Sequence, residues 1–308
     1  MFLVHGNAGA VSQGWRPDCY RNLASGDSHH IHVIAVDYRG FGHSTGSPNE
    51  RGLITDGIAV VDYALNVIGI PPERIVIYGQ SLGTAVSIAV AEYFSIEREI
   101  DFRAIILVAP FSDIPTLMLD YAMGGIIPIL SPMRHLPQLQ KFFADKIQET
   151  WFSAKRLTNL VRSSKHLDLY LLHAENDLEI PFSHSDELFY VAANATSEQE
   201  MTKKQIDAVR LHQDLDGHGS TDAWKAGQGE TGIKLIQRHV VPSGGKMLQA
   251  SGYDPTADSS KRSQPHHDIP CSRKSCIKCI QGAMSGRSYT HRMLSSASSK
   301  VLLTSSLL

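Results

Sequence analysis

Hydrophobic residues in the first 240 positions form short continuous runs that alternate with longer segments of helical spacing. The runs are rich in Val, Ile and Leu without polar alternation, as strands covered on both faces of a parallel sheet require. They fall at residues 1–4, 31–36, 74–78, 104–109, 167–173 and 206–212. Helical spacing occurs at residues 55–67, 84–95, 184–193 and 229–239. The pattern predicts an α/β fold with a mostly parallel, doubly wound sheet.

Candidate chemistry lies between one predicted strand and the helix after it. The pentapeptide Gly79-Gln80-Ser81-Leu82-Gly83 follows a run ending at Tyr78 and precedes the predicted helix. Gly-x-Ser-x-Gly in this context is the pattern of a nucleophile elbow, a turn so tight that only residues without bulk can flank the serine. We therefore expect Gly79 and Gly83 to permit the turn and Ser81 to present a nucleophilic hydroxyl.

A nucleophilic serine also needs an acid and a base, in the order Ser, acid, His for this type of elbow. The strand predicted at 167–173 leads to a loop with three carboxylates, Glu175, Asp177 and Glu179, which the pattern alone cannot rank. We predict His218 as the base, because it follows a later strand and two glycines flank it. His212 and His239 are the alternatives.

Two main-chain N–H groups must stabilise the oxyanion that forms on the substrate. One comes from the residue after the nucleophile, Leu82. The other comes from the loop after the first strand, here His5-Gly6-Asn7-Ala8-Gly9, whose small residues let the backbone wrap the oxyanion. We expect the N–H group of Asn7 to be this second donor.

Five blocks in fixed order resemble the α/β-hydrolase superfamily, over about residues 1–240. They are FLVHGNAG at 2–9, VDYRGFGHS at 36–44, YGQSLG at 78–83, LHAEND at 172–177 and GHG at 217–219. The first two are similar to the monoacylglycerol lipase and lysophospholipase-like branch, which includes α/β-hydrolase domain-containing lysophosphatidylserine lipases. The resemblance implies Ser81 as nucleophile, Asp177 as acid and His218 as base.

The resemblance implies a serine hydrolase that cleaves lipid-like carboxylic esters, such as monoacylglycerol or lysophospholipid, through an acyl-enzyme and without a cofactor. A protein thioesterase would use the same residues, and a non-catalytic hydrolase-fold binding protein is the alternative from another class. The resemblance also suggests membrane association at the endoplasmic reticulum.

Residues 110–155 break the alternation of strands and helices, with glycines and prolines among large apolar residues. This composition predicts a lid insertion that covers the site and lines a tunnel for an acyl chain. The substrate-binding candidates are Met118, Tyr121, Met123 and Ile127. An ordinary buried connection packed on the sheet is the alternative.

Charge is distributed unevenly along the 308 residues, whose net charge is -2. Residues 241–308 hold nine Lys and Arg against three Asp and are rich in serine. We predict a disordered basic tail after a hydrolase domain at 1–240, compatible with peripheral contact to an anionic membrane. The tail cysteines Cys271, Cys276 and Cys279 do not form the two closely spaced pairs that a structural zinc site needs. The sequence also has no stripe of interleaved basic and aromatic residues of the kind that binds nucleic acid.

The first strand of this sequence matches the third strand of the resembling family. We therefore expect a sheet without the two strands that usually come before it. Only four residues precede His5, which leaves no room for a signal peptide or a membrane anchor within these residues.

Overall fold

An eight-stranded, mostly parallel sheet forms the centre of the protein in its computed structural model. The structure describes residues 2–4, 10–14, 16–24, 31–120, 122–123, 127–128, 149–227 and 232–242. The strands in these ranges are β1 (Phe2–Val4), β2 (Ile34–Ala35), β3 (Val76–Gln80), β4 (Ala104–Val108), β5 (Ala122–Met123), β6 (Ile127–Pro128), β7 (Leu167–Ala174), β8 (Leu211–Asp214), β9 (Ser220–Ala226) and β10 (Lys234–Val241).

The strand order in the large sheet is β2-β1-β3-β4-β7-β10-β9-β8. The first six strands of this order pair in parallel, whereas β9 and β8 form an antiparallel hairpin at one side. Because parallel strands end at the same edge, the loops after β3, β4 and β7 lie together. The mostly parallel sheet predicted from the sequence is confirmed.

Helices cover both faces of this sheet. They are α1 (Arg16–Ala24), α2 (Glu50–Asp62), α3 (Leu82–Glu97), α4 (Ile114–Asp120), α5 (Ser153–Ser163), α6 (Ser183–Ala195) and α7 (Lys203–Val209). A π-helical turn at Tyr63–Val67 extends α2, and a short 3-10 turn at Pro72–Arg74 leads into β3.

Successive strand residues point to opposite faces, so each strand contributes to two hydrophobic layers. Ile77 and Leu107 belong to the larger core cluster, which includes residues of α2, α3, α5 and α6. Tyr78 and Ile106 face the other side, where Leu23 of α1 is buried. Burial on both faces explains why these strands are continuous apolar runs in the sequence.

Two predicted elements near the end of the domain are wrong. The strand predicted at 206–212 is largely helix α7, because Thr202 and Gln205 form a capping box that starts a helix there. The helix predicted at 229–239 is instead strand β10 from Lys234 onward, held between β7 and β9 by main-chain pairing. Such pairing depends on partners distant in the chain and overrides local periodicity.

The insertion predicted at 110–155 leaves the sheet after β4 and returns at α5. Its described parts are α4, the two-stranded ribbon of β5 and β6, and the returning residues from 149 onward. Main-chain hydrogen bonds join its ends, from Ile114 N–H to Thr150 O (2.9 Å) and from Ala154 N–H to Ser112 O (3.0 Å). The rest of the predicted lid, and the predicted tail at 241–308 apart from its first two residues, lie outside the described residues. Among the helices that the structure describes, none combines the length and the hydrophobicity of a membrane span.

Candidate active site

Ser81 occupies the turn between β3 and α3 in a strained backbone conformation. Its φ of 49° and ψ of -122° are a combination that residues with side chains rarely adopt. Its N–H donates to Val108 O at 3.0 Å, and its carbonyl oxygen accepts from the N–H (2.8 Å) and hydroxyl (2.6 Å) of Thr84. These hydrogen bonds fix the serine on both sides, as a nucleophile elbow requires.

Gly79 lets α3 begin directly on top of β3. A Cβ atom at this position would lie 2.5 Å from both the carbonyl oxygen of Gly83 and the hydroxyl of Ser87. Any side chain would therefore push the helix away from the strand. The pentapeptide predicts a glycine at position 79, and this close packing of helix on strand is the physical reason for it.

The Ser81 side chain is half-buried, and its hydroxyl makes no hydrogen bond to the described residues. Leu82 is the first residue of α3, where the main-chain N–H groups have no partner within the helix. Such N–H groups favour a developing negative charge. Asn7, the second predicted donor, lies outside the described residues.

Asp177 lies in the loop between β7 and α6, which we call the acid loop (residues 175–182). One carboxylate oxygen, Oδ1, accepts main-chain N–H bonds from Glu179 and Ile180, both at 3.0 Å. The side chain is only 2% exposed, whereas Glu175 and Glu179 are exposed residues. The structure thus places one of the three candidate carboxylates in a fixed, buried position at the edge of the sheet.

The second oxygen of Asp177, Oδ2, is buried without a hydrogen-bond partner among the described residues. Nε2 of His173 lies 3.9 Å from Oδ2, but that nitrogen bonds the carbonyl oxygen of Ile180 at 2.8 Å. Because a carbonyl oxygen can only accept, Nε2 of His173 carries the ring proton and donates it to Ile180 O. Oδ2 is therefore available to an N–H group that approaches from another part of the site.

Two of the three candidate histidines have other partners. His212 on β8 contacts Asp222 through Nδ1 at 2.7 Å. His239 is buried within β10, where its Nδ1 contacts the Thr221 hydroxyl at 3.0 Å and its ring stacks on Tyr170. Burial lowers the pKa of His239 to about 4. Neither arrangement leaves an imidazole directed at Asp177.

His218 lies in the turn between β8 and β9 and is exposed. Its main-chain N–H donates to Leu215 O at 3.0 Å, and its imidazole makes no hydrogen bond or ion pair with the residues that the structure describes. Gly219, with φ of 103°, fits so closely against β10 that a Cβ would collide with the carbonyl oxygen of Val240. This glycine is therefore required by strand packing.

The strand register places the His218 turn at the same edge of the sheet as the other two candidates. Ser220 pairs with Val240, and Val241 pairs with Ala174, at the carboxyl ends of β10 and β7. With neighbouring strands about 4.8 Å apart, β9 lies about 10 Å from β7 and about 19 Å from β3. The structure brings all three residues to one edge, but it does not join His218 to Asp177 or Ser81.

The substrate-binding candidates are only partly described. Met118 is 38% exposed on α4, and the main chain of Met123 pairs with that of Ile127. Tyr121 and the side chains of Met123 and Ile127 lie outside the described residues. Sequence reasoning missed Leu178 and Phe182, apolar residues of the acid loop that are 49% and 38% exposed. Among the described residues, no cluster could hold a metal ion.

A strained serine between a strand and a buried helix, on a mostly parallel sheet with a buried carboxylate two strands away, defines an α/β-hydrolase fold. The sequence profile of the alpha/beta hydrolase family matches residues 1–258. The chain belongs to this family.

Two curated relatives are similar over most of this chain. Human "Protein ABHD12B" is 32% identical over 203 residues, which are 66% of this chain and 52% of that protein. "Lysophosphatidylserine lipase ABHD12" of Macaca fascicularis is 33% identical over 217 residues, 70% of this chain and 50% of that protein. The chain thus spans about half the length of these relatives. Among solved structures, an alpha-beta hydrolase from Vibrio vulnificus superposes with a TM-score of 0.46 and 21% sequence identity. The matched region is 62% of this chain and 61% of that one.

Proposed function

We propose that this protein is a serine hydrolase that cleaves carboxylic esters of lipids through a covalent acyl-enzyme. The observation that carries the proposal is Ser81, whose φ of 49° and ψ of -122° hold at the edge of the sheet a hydroxyl that no described residue bonds. The buried Asp177, with one oxygen open to a donor, supports it.

In this reaction, Ser81 Oγ attacks the ester carbonyl carbon while its proton passes to Nε2 of the base, His218. The negative charge on the carbonyl oxygen is stabilised by the N–H groups of Leu82 and Asn7. The intermediate collapses, and the alcohol leaves with the proton from the imidazolium. Water then attacks the acyl-Ser81 ester by the same steps, releasing the fatty acid and restoring Ser81. Asp177 accepts the Nδ1–H bond and stabilises the imidazolium.

For His218 to act as the base, the β8–β9 turn must fold inward across the edge of the sheet. Strand spacing separates β9 from β3 by about 19 Å, more than an imidazole side chain can span. The turn contains Gly217 with φ of 81°, and the side chain of His218 has no described partner that would oppose this movement. The open Oδ2 of Asp177 would then receive the imidazole N–H.

The substrate class is proposed from the relatives and from the apolar surface at the site. Two segments at the same end of the strands as the elbow expose large apolar side chains, Met118 on α4 and both Leu178 and Phe182 in the acid loop. Such surface suits an acyl chain. Together with a relative named as a lysophosphatidylserine lipase, this favours a lysophospholipid or monoacylglycerol as substrate.

The test is a hydrolysis assay on the purified full chain with 1-oleoyl lysophosphatidylserine, 1-oleoyl glycerol and palmitoyl-thioester substrates. We expect oleate release that Ser81→Ala reduces at least a thousandfold. The matched control is Ser87→Ala, which removes a buried hydroxyl one and a half turns further along α3. Selective cleavage of the thioester would mean that the protein is a thioesterase and not a lipid esterase. A folded protein without Ser81-dependent cleavage of any of these substrates would favour a binding protein.

A further inference from the structure

A buried contact joins the acid loop to the beginning of the insertion. His184 on α6 is 2% exposed, and Ser112, two residues before α4, is fully buried. Nδ1 of His184 lies 3.1 Å from the Ser112 hydroxyl and 3.4 Å from the Ser112 main-chain nitrogen. The two residues are 72 positions apart in the chain, so this contact fixes two otherwise separate segments.

The chemistry of the contact defines the protonation of His184. A main-chain N–H can only donate, so Nδ1 must hold a lone pair and the ring proton must be on Nε2. Burial lowers the pKa of His184, while Glu187 and Asp113 act in the opposite direction. A neutral imidazole is what a buried acceptor requires, and an alkyl side chain could not replace it.

Ser112 lies at the first end of the insertion, which is hydrogen-bonded to the second end. Its carbonyl oxygen accepts from Ala154 N–H at 3.0 Å, and Ile114 N–H bonds Thr150 O at 2.9 Å. We call these two main-chain bonds the neck of the insertion. His184 therefore holds the neck in place against α6, directly after the acid loop.

The neck determines where α4 lies relative to the acid loop. Asp113 caps α4 by accepting from Thr116 N–H at 2.7 Å, so the position of Ser112 sets the start of this helix. Met118 on α4 and Leu178 and Phe182 in the acid loop are the exposed apolar side chains of the two segments. His184 thus links two segments with exposed apolar side chains, both at the same end of the strands as the elbow.

We propose that His184 is a positioning residue that sets the spacing between α4 and the acid loop, and thereby the preference of the enzyme for long acyl chains. The part concerning chain length rests on the proposed function. The part concerning position does not, because it is a property of the folded chain alone.

The test compares His184→Leu, which removes the acceptor, with His184→Asn, whose side-chain oxygen can accept the Ser112 N–H. His43→Leu, at an exposed position, is the control. The measured quantity is the kcat/KM for p-nitrophenyl laurate divided by that for p-nitrophenyl acetate. This ratio should be about tenfold lower in His184→Leu than in the wild-type full chain, because two hydrogen bonds are lost. The kcat for acetate should stay within about twofold, and His184→Asn should recover most of the ratio.

Hydrogen–deuterium exchange of the same proteins tests the position independently. Amides of Ile114 and Ala154 should exchange about tenfold faster in His184→Leu, while those of Ile105–Leu107 in β4 stay protected. Unchanged exchange at the neck would overturn the proposal, even for a protein that hydrolyses no ester. An active enzyme with faster neck exchange but an unchanged laurate-to-acetate ratio would overturn the link to chain length. Inactivity of wild-type protein on both esters would count against the proposed function alone.

Discussion

Acid should destabilise this protein, and the buried His239 provides the sharpest test. Its imidazole lies within β10 between Thr221 and Tyr170, and burial lowers its pKa to about 4. In the unfolded chain the imidazole is in water, with a pKa near the usual value of about 6.5. The folded state therefore binds fewer protons than the unfolded state between these two values.

The sign and size of the effect follow from this difference. Stability rises with pH where the unfolded state binds more protons, so His239 costs nothing well above pH 6.5 and progressively more below it. A difference of about 2.5 pKa units corresponds to at most about 3 kcal/mol, of which about 2 kcal/mol is lost between pH 7 and pH 5. Burial also lowers the pKa of His173 and His184, which adds to the total loss.

The assay is urea unfolding of the full chain at pH 7 and pH 5, followed by circular dichroism. His239→Asn removes the titrating ring but keeps a side chain that can bond the Thr221 hydroxyl. Between the two pH values the variant should lose about 2 kcal/mol less stability than wild type, whereas the exposed His43→Asn should behave as wild type. An equal loss in wild type and His239→Asn would refute the assignment of this proton uptake to the buried ring.

Two further predictions concern packing and charge, each measured by urea unfolding. Gly79→Ala should cost about 2 kcal/mol or more, because the new Cβ would lie 2.5 Å from atoms of α3; Gly69→Ala, at φ of 76° with open space, should cost about 1 kcal/mol. Equal costs would argue against the tight elbow. Asp222→Asn should cost about 3 kcal/mol, because it breaks a buried pair with Arg238, whereas Asp18→Asn at an exposed ion pair should change stability little. A loss below about 1 kcal/mol at position 222 would contradict the importance of the buried pair.

The sequence was most informative where the requirements are local. Apart from the Ser81 N–H bond to Val108, the elbow contacts lie among residues 79–87, so its glycines and its serine can be recognised from one short segment. The central strands β3, β4 and β7 were equally accessible, because burial on both faces requires an unbroken apolar run.

The region after α6 was harder because its structure depends on distant partners. Strand β10 buries the polar residues Gln237, Arg238 and His239, which no apolar pattern reveals. Arg238 and His239 are accommodated by Asp222 and Thr221 of β9, a strand that the sequence analysis did not predict. Pairing between strands thus compensates for side chains that favour other structures locally.

The candidate site divides in the same way. Asp177 could be placed after a strand from sequence, but its buried Oδ2 and the bond from His173 to Ile180 required coordinates. The contact of Ser112 with His184 spans 72 positions and has no signal in the spacing of residues. For His218, the structure gives one flanking glycine a reason of its own, since Gly219 is required by its packing on β10.

The central claim is that Ser81 is a nucleophile, and covalent labelling tests it most directly. The folded full chain would be treated with a fluorophosphonate, digested, and the modified peptide identified by mass spectrometry. The account predicts one adduct on Ser81, abolished in Ser81→Ala, retained in Ser87→Ala, and formed at least tenfold more slowly in Asp177→Asn. A folded protein that remains unlabelled at Ser81, or that is labelled equally in Ser81→Ala, would contradict it.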